Sequence, residues 1–134
     1  MTTSAEVWLL DDDNSILDAL AQGLTLEGWH CRTFNQPATL LSNLTANFAG
    51  VVLTDLNMPQ MDGLQTLAAL RQLPGLAEVP VIFMTARLQE AEQQRYLSAG
   101  AIAVIEKPFD PLTLGTQLRE LCQTKLADSR LSDV

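Results

Sequence analysis

The sequence predicts an α/β fold: one open sheet of five parallel strands, in the order 2-1-3-4-5, with five helices divided between its two faces. Three observations point there. Short apolar runs alternate with amphipathic segments along the 134 residues, the pattern of successive β–α units. The runs carry no polar alternation, as strands buried on both faces should not. Turn-forming or helix-capping residues close each unit.

The first run, Val7-Trp8-Leu9-Leu10, stops at Asp11-Asp12-Asp13. A helix over Ser15 to Glu27 follows, with Ile16, Leu20 and Leu24 four apart on one face and Gly28 placed to end it. His30 to Phe34 is a weaker second strand. Pro37 opens a second helix at the position where a missing N–H is harmless, and Leu40, Leu41 and Leu44 give it an apolar stripe. Val51 to Thr54 is a β-branched third strand with Asp55 directly after it. Asn57 to Gly63 is a loop punctuated by Pro59 and Gly63. A third helix runs from Leu64 to Leu73, a fourth strand from Val79 to Met84 and a fourth helix from Leu88 to Ala99. Ala101 to Ile105 is the fifth strand. Asp110 caps a fifth helix, Pro111 takes its first turn, and Leu114, Leu118 and Leu121 line one face. Right-handed crossovers then favour a flavodoxin-like, doubly wound sheet.

Composition narrows the function. The chain is 47% hydrophobic and 18% charged, which suits one globular domain that folds without staples. A net charge of −8 argues against nucleic-acid phosphates or an anionic membrane as a direct partner. No stretch is long and apolar enough to be a membrane span, and the N-terminus lacks the pattern of a secretory leader. Cys31 and Cys122 have no metal-like spacing and read as two reduced, partly buried thiols, which fits a cytoplasmic protein.

In a parallel sheet all strand C-termini share one edge, so residues that follow different strands converge there. Strand one delivers Asp11, Asp12 and Asp13, strand three Asp55, strand four Thr85 and strand five Lys107. Each has an ordinary reading: a helix cap, a turn aspartate, a strand-end hydroxyl, a solvated lysine. Their coincidence at one edge favours chemistry. Crowded carboxylates repel and call for a cation. A hard divalent ion such as Mg²⁺, with Lys107 as a compact ammonium, meets that need.

These residues carry a resemblance. Leu9 to Asp13, Val51 to Pro59, Met61-Asp62-Gly63, Met84-Thr85-Ala86, Ala99-Gly100-Ala101 and Lys107-Pro108-Phe109 resemble the receiver domain of two-component response regulators, of the single-domain chemotaxis type. The resemblance covers residues 6 to 126. It implies a receiver domain over 1–126 and a polar tail over 127–134. It implies that Asp55 is the phosphoacceptor, that Asp12 binds Mg²⁺ directly and Asp11 largely through water, and that the backbone carbonyl of Asn57 is a further ligand. Thr85 would hydrogen-bond the phosphoryl group and Lys107 would pair with it. The Lys107–Pro108 bond is expected to be cis. Asp13 has no role in the pattern and reads as a helix cap or a solvent-facing residue.

The implied partners are a histidine kinase or a histidine phosphotransfer protein upstream, and a protein target on the face formed by helix 4, strand 5 and helix 5. The implied activity is limited to the domain's own phosphoryl transfer and slow autodephosphorylation. Three rivals are weighed against it. A flavodoxin-type binder would need glycines and hydroxyls, not three aspartates, in its first turn. An aspartyl phosphohydrolase would need a carboxylate where Asn57 stands. A degenerate, docking-only receiver would lack the acid pair, the acceptor or the lysine. A stand-alone receiver and one with an output domain beyond residue 134 both stay open.

One departure from the family pattern concerns the readout. Val104 stands three residues before Lys107, where the family often has Tyr or Phe. A short β-branched side chain cannot act as an aromatic rotamer switch. The almost wholly polar segment Gln89 to Arg95 suggests instead a loosely anchored fourth helix, with Tyr96 near the exposed surface. Arg87, two residues after Thr85, could shield an acyl phosphate or merely be solvated.

Overall fold

The computed structural model describes residues 6–59, 61–107, 110 and 113–122. The polar tail from Ala127, the Lys107–Pro108 bond and Pro111 lie outside the described residues.

Five strands form one parallel sheet: β1 (Glu6–Leu10), β2 (His30–Phe34), β3 (Val51–Asp55), β4 (Val81–Thr85) and β5 (Ala103–Glu106), in the order β2-β1-β3-β4-β5. Between them lie α1 (Asn14–Leu26), α2 (Pro37–Asn43), α3 (Gly63–Arg71) and α4 (Glu90–Ala99). A fifth helix, α5, covers 113–122. Order and element types are those the sequence predicts.

Successive side chains of a strand point to opposite faces, so the central strands feed two cores. Val7, Leu9, Val51, Leu53, Ile82 and Met84 pack with Leu17, Leu20 and Leu24 of α1 and Leu114 and Leu118 of α5. Trp8, Leu10, Val52, Val81 and Phe83 pack on the other face with Leu40 of α2 and Leu67 and Leu70 of α3. Edge strand β2 buries only Phe34, which accounts for its weak apolar signal.

Several boundaries shift for local reasons. Pro80 has no N–H to give the sheet, so β4 begins at Val81, and the Pro80 carbonyl accepts from Val52 N–H at 3.0 Å. The Ala101 N–H turns back to the Tyr96 carbonyl at 3.2 Å. That bond belongs to the end of α4, where Gly100 sits at φ 120°, so β5 starts later than expected. At the other end of α4 the Leu88 N–H is held by a side chain of β5, and the helix starts at Glu90.

Both cysteines are free and partly buried, as expected, and burial raises both thiols. Among the described residues no helix is long and apolar enough to cross a membrane.

Candidate functional site

The carboxyl edge of the sheet gathers the predicted residues. Asp11 follows β1, and its N–H is fixed by the Phe34 carbonyl of β2 at 3.2 Å. Its Oδ1 accepts the Asp13 N–H at 2.9 Å, a side-chain turn that folds the chain back on itself. Asp13 then caps α1, taking the N–H groups of Ser15 at 2.9 Å and Ile16 at 3.4 Å. The sequence reads Asp13 as a cap or a solvent-facing residue, and it is both: it caps α1 and is exposed.

Asp55 is the last residue of β3, which runs one residue further than the strand the sequence predicts. The next residue, Leu56, is locked by its N–H to the Met84 carbonyl of β4 at 2.9 Å and by its carbonyl to the Gly63 N–H at 2.8 Å. A Cβ on Gly63 would lie 2.8 Å from Leu56 Cδ2 and 3.3 Å from the Asp55 carbonyl. The missing side chain is what lets the loop close this tightly. Asp62 then caps α3 in a reciprocal box with Gln65.

Lys107 joins the edges. Its Nζ lies 3.1 Å from Asp11 Oδ2 and 3.1 Å from Asp55 Oδ1. Asp11 and Asp55 are buried, and Asp12 is exposed. One oxygen each of Asp11, Asp12 and Asp55 lies within 4.8 Å of the others. Burial pushes the Asp55 carboxyl up, the Lys107 hydrogen bond pulls it down, and the charge of Asp11 pushes it up again; the balance is upward. For Lys107, burial favours the neutral amine, but the hydrogen bonds it donates to Asp55 and Asp11 and their charges outweigh it and raise its pKa.

Thr85 is buried at the end of β4. Its hydroxyl donates to the Arg87 carbonyl at 3.2 Å and accepts the Arg87 N–H at 3.3 Å, so it faces its own loop and not Asp55. The Arg87 side chain is exposed. Asn57 is exposed two residues past Asp55.

The family model for the response regulator receiver domain matches residues 7–119. The chain belongs to the response regulator receiver family. The NtrC protein of Proteus hauseri, a DNA-binding transcriptional regulator, is 39% identical over 105 residues, 78% of this chain and 22% of that protein. The transcriptional regulatory protein PrrA of Mycobacterium tuberculosis is 32% identical over 123 residues, 92% of this chain and 52% of that protein. This receiver domain thus spans about half or less of the length of these relatives. The chemotaxis response regulator CheY4 of Vibrio cholerae superposes with a TM-score of 0.79 at 28% identity, covering 89% of this chain and 99% of that one. Receiver domains are signalling switches of two-component systems, set between a kinase and a downstream effector.

Sequence reasoning missed two features of the receiver site. Asp11 pairs directly with Lys107, where only a water-mediated metal role was expected. Glu106 takes the Leu88 N–H at 3.1 Å, although nothing in its local sequence marks it.

Proposed function

We propose that this receiver accepts a phosphoryl group on Asp55 from a histidine kinase or histidine phosphotransfer protein, and that the acyl phosphate changes which protein it binds. The observation that carries this reading is the Lys107 ammonium bridging Asp11 and Asp55 beside a third carboxylate. Such an edge holds a nucleophilic carboxylate and has a cation ready for developing phosphoryl charge.

A carboxylate oxygen of Asp55 attacks phosphorus in line with the imidazole nitrogen. The P–N bond breaks, its electron pair leaves with the imidazole nitrogen, and the imidazole balances its charge with a proton from water. Little covalent chemistry falls to the protein, so positioning and electrostatics dominate. Lys107 moves its pairing from the Asp55 carboxylate to the phosphoryl oxygens. Asp11 keeps hold of the ammonium and so fixes its place. The Thr85 hydroxyl turns from Arg87 to the phosphoryl group. Water on the same line hydrolyses the acyl phosphate, so the domain slowly resets itself and turns over no other substrate.

Three carboxylates within 4.8 Å form a hard oxygen donor set that suits Mg²⁺. Asp12 and Asp55, with Asp11 largely through water and the Asn57 backbone carbonyl, would hold it, and it would supply further positive charge to the phosphoryl oxygens. The receiver domain is taken as residues 1–126, acting in the cytoplasm. Its target docks on the face of α4, β5 and α5, and a chain of net charge −8 leaves nucleic-acid contact to other proteins or domains. Acid pair, acceptor and lysine all converge, unlike in a docking-only receiver.

A small acyl- or amido-phosphate donor with Mg²⁺ should add one phosphoryl mass to the wild type and none to Asp55→Asn. Labelling of Asp55→Asn to the wild-type level would overturn the assignment.

A further inference from the structure

The loop between β4 and α4 is held by two side chains. From inside, the Thr85 hydroxyl both donates to and accepts from Arg87. From outside, Glu106 Oε2 accepts the Leu88 N–H at 3.1 Å. Thr85 and Glu106 are register partners on neighbouring strands, and the Lys107 N–H donates to the Thr85 carbonyl at 2.7 Å. The usual anchor is missing here: Gln89, at the N-cap of α4, makes no side-chain capping bond, and α4 buries no residue. Among the described residues, Thr85 and Glu106 are the side chains that hold residues 86–88 by hydrogen bonds.

A hydroxyl has one proton to give. The oxygens of an ionised phosphoryl group only accept, so Thr85 can donate to one only by leaving the Arg87 carbonyl. The bond that Thr85 donates to the loop then ends, and the Glu106 bond to the Leu88 N–H still holds the loop in place.

We propose that Glu106 is a positioning residue for the phosphoryl switch: through the Leu88 N–H it holds residues 86–88 where Thr85 stays turned toward Arg87. This rests on the reading of Asp55 as phosphoacceptor. Glu106 touches no reacting atom. It sets how often the loop is free, and with that the apparent affinity for the phosphoryl group, because a ligand binds more weakly by the fraction of molecules already competent.

Beryllofluoride with Mg²⁺ serves as the phosphoryl mimic in titrations of the whole chain. Loss of one hydrogen bond to a charged acceptor should tighten beryllofluoride binding by about threefold to tenfold in Glu106→Ala. Exchange of the Leu88 amide should speed up in the same variant without the mimic. Glu106→Gln keeps an oxygen acceptor at that reach and should match wild type in both readouts. Glu106→Thr, too short to reach Leu88 but well suited to a strand, should behave as Glu106→Ala and replaces it if the alanine variant folds poorly. Wild-type affinity in Glu106→Ala and Glu106→Thr overturns the proposal. Equal tightening in Glu106→Gln also overturns it, since charge and not the bond to Leu88 would then be responsible. A wild type that takes no beryllofluoride is a different result: it overturns the phosphoacceptor reading, and the role of Glu106 falls with it.

Discussion

Helices α1 and α4 both leave the carboxyl edge of the sheet next to the site, and they are held in opposite ways. α1 starts on the Asp13 carboxylate, buries Leu17, Leu20 and Leu24, and ends with the Glu27 carbonyl accepting from the Arg119 guanidinium of α5. α4 has no side-chain cap and no buried residue. Its main apolar contact is Tyr96, packed edge-on to Phe83 with ring centroids 5.7 Å apart, and the Tyr96 hydroxyl donates to Glu92 at 2.8 Å. Apolar burial is the largest stabilising term available to a surface helix. A signal generated between the two helices should therefore move α4, which has least burial to lose. The fold keeps its rigid side under the acid pair and its loose side after Thr85.

The largest test of that contrast is mechanical. Leu20→Ala should cost about 2–5 kcal/mol in denaturant unfolding, the range for a fully buried leucine. Leu97→Ala in α4, only half-buried, should cost under about 1 kcal/mol. Similar losses in the two variants would show that α1 and α4 are anchored alike.

A smaller effect comes from charge at the edge itself. The folded state raises the Asp55 pKa, so it binds a proton more readily than the unfolded chain. The stability this gives is complete below the ordinary carboxylate range and is lost as pH rises through the raised pKa. Without metal, the melting temperature should fall across that window, and Asp55→Asn should flatten the fall. At neutral pH, Mg²⁺ should raise the melting temperature by mass action. Asp12→Ala should remove most of the rise, and an undiminished rise in that variant would refute Asp12 as a ligand. Protection should drop over residues 85–100 before it drops in α1.

Much of this contrast is legible in the sequence. Aspartates ahead of Ile16, Leu20 and Leu24 announce a capped, amphipathic α1, and the polar run from Gln89 to Arg95 announces an unburied α4. The convergence of Asp11, Asp12, Asp55 and Lys107 follows from strand order alone. The contacts that cross between elements are not legible. Lys107 and Asp11 are 96 residues apart, and Leu88 and Glu106 are 18 apart; no local period encodes either pair. Tyr96, expected near the exposed surface, is half-buried because Phe83 of β4 offers it an edge contact. That single ring also restrains α4 and gives its movement something to break. The orientation of Thr85 toward Arg87 likewise depends on a rotamer, which sequence does not fix.

We infer that modification of Asp55 is read through the loop after β4 and through α4. Amide hydrogen exchange of the wild type, with and without beryllofluoride in the presence of Mg²⁺, tests it most directly. Altered protection is expected across residues 85–100, with α1 unchanged. Changes confined to the loop after Asp55, or as large in α1 as in α4, would contradict it.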